Sequence, residues 1–188
     1  MTDPNVSTQK PGNGRVKLVL IMLVFLAPIV AAGLLTLSGW QPEGKGNGHP
    51  IVPQRSVADA RVDVEGKPWA WRDSEPRLTL VALPGPGCAA HCLETLALMR
   101  NARIVLNRNA DRLRLLYLGT APTAPGADGV MPDWKVGVDA SGAFSEFRPT
   151  EPDSVAAVLV ESNATALSFY PAGFDPSGLR KDMQKVIR

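Results

Sequence analysis

From Leu18 to Trp40 the chain runs 23 residues without a charged side chain. At about 1.5 Å of rise per residue, a helix of that length reaches roughly 34 Å, enough to cross a hydrocarbon core of about 30 Å. Pro28 and Gly33 lie inside the stretch, and both are better tolerated in a membrane helix than in a soluble one. The alternative is a cleavable signal sequence with Val30-Ala31-Ala32 as its small-residue site. Such a sequence has an apolar region of about 7–15 residues, shorter than this one. The 17 residues ahead of the stretch also make a long polar leader. Length therefore favours a retained transmembrane helix at 18–40 behind a cytoplasmic tail at 1–17.

Basic residues beside a membrane helix tend to stay on the cytoplasmic side. Lys10, Arg15 and Lys17 precede the span and only Lys45 follows closely. This predicts a single-pass inner-membrane protein with its N-terminus inside and residues 41–188 in the periplasm. The net charge of +2 resides in the tail, where three basic groups face Asp3, so residues 18–188 balance. A neutral domain lacks the basic footprint that phosphate binding needs, which excludes a nucleic-acid partner.

Residues 41–57 are dense in Gly and Pro without apolar periodicity and read as a flexible linker; His49 within it has no assigned role. The remaining 58–188 suit one domain with a real core. ARVDV, a turn at Glu65-Gly66-Lys67-Pro68, and WAW read as a hairpin. RLTLVAL (77–83) is a buried strand that ends at Pro84-Gly85-Pro86-Gly87. A helix over 89–107 follows, with Leu93, Leu96, Met99, Ile104 and Val105 as its apolar stripe. RLRLLYL (112–118) is a second strand, and strand, helix and strand in that order imply a parallel crossover. The stretch 120–133 reads as a loop, and WKVGVD with ASGAFSEF as a short strand and a helical turn. VAAVLVE and ALSFYPAG read as two strands around a turn at Ser162-Asn163. Asp175 caps a last helix that starts at Pro176.

The chain has two cysteines, Cys88 and Cys92, in GPGCAAHCLETL at the predicted strand-to-helix junction. Four positions apart, they would close too short a loop to serve as a staple, so they point to chemistry. A helix N-terminus stabilises a thiolate at Cys88, and Cys92 lies one turn further on the same face. In a regular helix Cβ atoms at i and i+4 are about 5–6 Å apart, whereas a disulfide needs roughly 3.5–4.5 Å. A disulfide would then require a distorted first turn, while two thiolates can converge on a soft ion such as Cu(I). His91 points about 100° away from Cys92 around the helix and reads as a neighbour that steadies a thiolate or faces solvent.

The element order resembles a thioredoxin-like α/β fold: a central mixed sheet flanked by helices, with a cysteine motif at the first core helix. With GCAAHC, the chain resembles the Sco-type (SenC/PrrC) copper insertion factors, membrane-anchored proteins that assist cytochrome c oxidase assembly. That resemblance implies Cu(I) at Cys88 and Cys92 with a distant histidine as third ligand; within the motif itself, His91 is the candidate nitrogen donor. It implies cytochrome c oxidase subunits, or another copper or thiol assembly protein, as partners. The chain departs from the pattern at three points. Leu93 stands where the family has proline, no histidine follows His91, and Asp153 aligns with the family's third ligand. A carboxylate is a hard donor for Cu(I), and Asp153 reads instead as a surface or capping residue.

Three functions compete. One is an oxidase-assembly factor that handles Cu(I) or keeps target cysteines reduced. Another is a general periplasmic thiol-disulfide oxidoreductase in which Cys88 attacks and Cys92 resolves, and the third is a noncatalytic assembly scaffold. A peroxidase would want an arginine and a Thr or Ser around its cysteine, which the local motif does not offer. Of Trp69 and Trp71, spaced as alternate strand residues, one is expected in the core and the other over the cysteine site.

Overall fold

The computed structural model describes residues 14–37 and 46–187. The chain divides into two compact units, residues 1–44 and 45–188. In the first, helix α1 (Gly14–Leu37) carries Pro28 in its interior. Leu18, Val24, Phe25 and Ile29 are among its exposed apolar side chains. A helix that satisfies its own backbone and is apolar on every side suits hydrocarbon. α1 is long and apolar enough to cross a membrane. Of the expected tail, span and linker, residues 1–13, 38–40 and 41–45 lie outside the described residues.

The second unit runs β1 (His49–Ser56), β2 (Val62–Val64), β3 (Lys67–Pro68), β4 (Leu78–Pro84), α2 (Ala90–Val105), β5 (Leu113–Leu118), α3 (Ala127–Val130), β6 (Lys135–Asp139), β7 (Val155–Glu161), β8 (Thr165–Tyr170) and α4 (Pro176–Val186). The strands form one mixed sheet in the order β1-β8-β7-β4-β5-β6-β2-β3. β4, β5 and β6 are parallel neighbours, while β7 and β8 pair antiparallel. Every residue of β4 is buried, as a central strand covered on both faces requires. Alternation sends Leu78, Leu80 and Ala82 to one core and Val81 and Leu83 to the other. On the first face, Cys92, Leu96 and Met99 of α2 and Leu179 and Met183 of α4 cover the sheet. Asp175 caps α4 by accepting from the Ser177 N–H at 2.9 Å.

Several expectations are corrected. Residues 49–56, expected as linker, form β1 along the edge of β8. Pro50 and Pro53 are tolerated there because an edge strand leaves half its N–H positions unpaired, and the register shifts between Pro50 and Arg55. Asn47, just before β1, is tied to α4. Its backbone N–H donates to Asp182 Oδ2 at 2.6 Å, and its side-chain amide donates to Asp182 Oδ1 and the Gly178 carbonyl, each at 3.1 Å.

The hairpin is tighter than expected: Glu65 and Gly66, at φ 52° and 76°, make the two-residue turn, and β3 ends at Pro68. WAW is therefore not a strand, and period-two alternation does not apply to it. Trp71 is buried and donates its indole N–H to the Ala60 carbonyl at 2.7 Å. Trp69 packs edge-on to it at 6.4 Å, on the sheet face opposite Cys92, so neither covers the cysteines. Ile104 and Val105 are exposed, and Ala102 and Leu106 take their places in the core. The stretch 120–133 contains α3 and a following 3-10 turn at Met131–Asp133.

Candidate functional site

β4 ends at Pro84, and the chain turns through Gly85-Pro86-Gly87, with Gly87 at φ 65°, a conformation that suits a residue without Cβ. Cys88 follows two positions ahead of α2, half-buried, while Cys92 sits in the first turn of α2 and is completely buried. The two are joined as a disulfide with their Cα atoms 5.2 Å apart. The expected i, i+4 helical spacing does not hold, because Cys88 is not helical. The Cys92 N–H, which a regular helix would direct to the Cys88 carbonyl, donates instead to Asp153 Oδ1 at 3.0 Å. Cys88 is thereby free to turn toward Cys92 without distorting α2.

Asp153 acts as the cap of α2 across 60-odd residues of sequence. Its carboxylate also accepts from Ala89 N–H at 2.7 Å and His91 N–H at 3.1 Å. Ala89, the residue at the cap position, has no side-chain acceptor of its own. Asp153 holds φ 50°, and its N–H donates to the Pro86 carbonyl at 2.9 Å. Gly85 N–H donates to the Ser154 carbonyl at 2.9 Å, so the two loops are laced in both directions. The N–H groups of Cys92, Ala89 and His91, with the nearby His91 imidazole, hold the Asp153 carboxyl below the ordinary carboxylate range despite some desolvation.

Beside Cys88 lies a polar cavity of about 440 Å³ whose walls include Gly87, Tyr117, Thr120, Thr123 and Arg148. The Arg148 guanidinium donates to the carbonyls of Pro84 at 3.1 Å and Leu118 at 2.9 Å, the carboxyl ends of β4 and β5. That edge of a parallel sheet is where α/β folds gather ligands. Tyr117 donates its hydroxyl to the Thr120 carbonyl at 3.2 Å. Burial pushes its phenol up to about 12, with Arg148 opposing, so it stays neutral near neutral pH.

Of the sequence-predicted residues, the structure brings Cys88 and Cys92 together and places His91 elsewhere. His91 is exposed and lines a separate groove with Leu98, Ser154, Phe174 and Pro176. Asp153, which the Sco-type resemblance aligned with a copper ligand, has its carboxylate committed to three backbone N–H groups. The donor set does not fit a three-coordinate copper centre. Among the described residues no three His, Cys, Asp or Glu side chains converge as a metal site. Sequence reasoning missed Arg148, 60 positions from Cys88 and marked by no local motif.

No curated protein matches the chain in sequence. Among solved structures it is similar to copper-bound ScoI of Bradyrhizobium japonicum, at 11% identity and a TM-score of 0.47, covering 74% of this chain and 98% of that one. It is also similar to BsSco, a member of the Sco family of cytochrome c oxidase assembly proteins, at 13% identity and 0.42, covering 73% and 91%. A third is the exposed lipoprotein thioredoxin Etrx1 of Streptococcus pneumoniae strain TIGR4, at 11% and 0.41, covering 67% and 97%. The family model described as the transmembrane-like, thioredoxin-like C-terminal domain matches residues 78–188, from β4 through both cysteines to the end of α4. With a mixed sheet flanked by helices and a cysteine pair where the central strand meets its helix, this chain belongs to that thioredoxin-like family.

Proposed function

We propose that Cys88–Cys92 is a redox-active disulfide that exchanges with the thiols of partner proteins. The observation that carries this reading is the asymmetry of the pair: Cys88 opens onto a polar cavity while Cys92 is fully enclosed. An incoming thiolate attacks Cys88 Sγ, the Cys88–Cys92 bond breaks, and Cys92 leaves as a thiolate that takes a proton from solvent. In the reverse direction the Cys88 thiolate attacks a target disulfide, and Cys92 then attacks Cys88 Sγ, restoring the intramolecular bond and releasing the reduced target.

On this reading α1 anchors the domain in the inner membrane with residues 1–17 inside and the cysteine pair in the periplasm. Following the Sco-type resemblance of GCAAHC, the targets are the copper-binding cysteines of cytochrome c oxidase or of another assembly protein. Those cysteines must be reduced before they take Cu(I). Direct transfer of Cu(I) as cargo is the second reading. Its support is the pair of soft sulfurs brought close together, and it requires prior reduction of the disulfide.

The test uses the full chain in detergent. Equilibration in glutathione buffers measures the potential of the pair, and titration of the reduced protein against a Cu(I) chelator measures metal affinity, with Cys88→Ser and Cys92→Ser as controls. Reversible exchange lost in both variants, with weak Cu(I) binding, is the expected result. Tight stoichiometric Cu(I) binding would favour the cargo reading. Neither exchange nor Cu(I) binding would leave a scaffold.

A further inference from the structure

The cavity beside Cys88 contains a cation that the exchange chemistry itself does not require. Arg148 is half-buried and held by the carbonyls of Pro84 and Leu118. Two of the five guanidinium N–H donors go to those oxygens, which leaves three for another acceptor. Among the described residues no carboxylate pairs with it, whereas Arg55, Arg77, Arg100, Arg103, Arg114, Lys135 and Lys185 each face one. Asp153, the acidic group on the same loop system, is bonded to the start of α2 and is not part of the cavity wall. The other polar walls, Thr120, Thr123 and the neutral Tyr117, carry no charge. A fixed, unneutralised guanidinium in a recess that also holds the accessible sulfur is arranged to receive a planar anion.

We infer that the cavity is a carboxylate subsite for the exchanging thiol. Arg148 holds a carboxylate located a few bonds from the reacting sulfur and so directs that sulfur onto Cys88. The inference rests on the exchange reading above and names its substrate class. In the step, the sulfur of the carboxylate-bearing thiolate forms a bond to Cys88 Sγ as the Cys88–Cys92 bond breaks. The departing Cys92 thiolate is protonated by solvent. A second thiol then releases Cys88, and the two reductant sulfurs leave as a disulfide. The carboxylate has two possible sources: a small thiol acid, or an acidic residue next to a cysteine in a protein target.

The experiment follows reduction of the disulfide in the full-length protein by alkylation and mass shift. The thiols are 3-mercaptopropionate, 2-mercaptoethanol and cysteamine, alongside Cys-Glu and Cys-Gln peptides with blocked ends. Each rate is divided by the same thiol's rate on neutral hydroxyethyl disulfide, which removes intrinsic differences in thiol reactivity. The expected order is anionic over neutral over cationic, with about a fivefold preference for the carboxylate that fades near 1 M salt, where the Debye length falls to ~3 Å. Arg148→Met brings the three normalised rates to within about twofold of one another, and Arg148→Lys keeps part of the preference because it keeps the charge. Preference in the peptide pair identifies a protein target, and preference confined to the small thiols identifies a small thiol acid. Equal normalised rates in the wild-type protein would overturn the inference while leaving exchange intact. Resistance to every thiol would instead overturn the exchange reading.

Discussion

Placing a methyl group on Gly85 tests whether the cysteine loop and the Asp153 loop are as closely locked as their geometry says. A Cβ at Gly85 would fall inside the van der Waals envelope of the Glu151 carbonyl oxygen and only 2.6 Å from Ser154 Oγ, where ordinary contact begins at 3.4 Å. Neither neighbour is the far end of a flexible side chain. The Glu151 carbonyl is backbone, and Ser154 Oγ is fixed by donating to that same carbonyl at 2.6 Å. Gly85→Ala must therefore push residues 151–154 outward by about 1 Å, and overpacking of this kind costs about 1–3 kcal/mol. For a chain of this length that corresponds to roughly 2–12 °C in the thermal midpoint. The same displacement carries Asp153 away from Ala89, His91 and Cys92, whose bonds of 2.7 to 3.1 Å have little slack. With the carboxylate withdrawn, the helix N-terminus is free to stabilise a departing Cys92 thiolate, so the disulfide becomes easier to reduce. Thermal melts and glutathione equilibration of the detergent-solubilised chain measure the two effects together. Gly129→Ala is the control: its Cβ meets open space in α3, and the change is neutral or stabilising by up to about 1 kcal/mol. A Gly85→Ala protein with the wild-type midpoint and potential would refute the loop-locking argument, as would a Gly129→Ala protein equally destabilised.

Other expectations follow from burial and charge. Asp153 and Asp175 both have carboxyls held below 3.8, the first mainly by the Cys92 N–H and the second mainly by the Ser177 side chain. Their stabilisation is complete above that value and disappears as pH falls through the lower folded-state values. Acid melts should therefore lose stability below about pH 4, and Asp153→Asn should flatten that slope. An unchanged slope in the variant would exclude Asp153 as a contributor. The chain's two tyrosines, Tyr117 and Tyr170, are both raised by burial, Tyr117 to about 12 and Tyr170 further by the Asp182 carboxylate. An absorbance titration of phenolate should show no step centred on pH 10 until the protein unfolds; a step there would mean an exposed tyrosine. Leu96→Ala removes a completely buried side chain of α2 beneath the cysteine turn and should cost about 2–5 kcal/mol by chemical denaturation. A loss below about 1 kcal/mol would mean that α2 is not seated on the sheet as described.

Legibility in the sequence followed the strength of the local signal. β4, α2, β5, β7, β8 and α4 were readable because strand runs such as LTLVALP and VAAVLVE and the cap at Asp175 declare themselves within a few residues. β1 was not readable. HPIVPQRS has turn composition, and only the open edge of β8 makes a strand of it. The indoles misled for a similar reason: Trp69 and Trp71 looked like alternate strand positions, but β3 stops at Pro68, and both pack into the core on the far side of the sheet.

At the site, the sequence alone determined an apolar helix able to span a membrane and the chemistry available at Cys88 and Cys92. Those depend on composition and on spacing along a short stretch of chain. Tertiary structure decided how that chemistry is used. It took Cys88 off the helix, gave the Cys92 N–H to Asp153, turned His91 into another groove and set Arg148 beside the accessible sulfur. Asp153 and Arg148 stand about 60 positions from the cysteines, and they reach them because β7 pairs with β4 and because Arg148 clasps the ends of β4 and β5. Hydrogen bonds and charges act over a few ångströms of space, and sequence distance carries no record of which side chains the sheet will bring within that range.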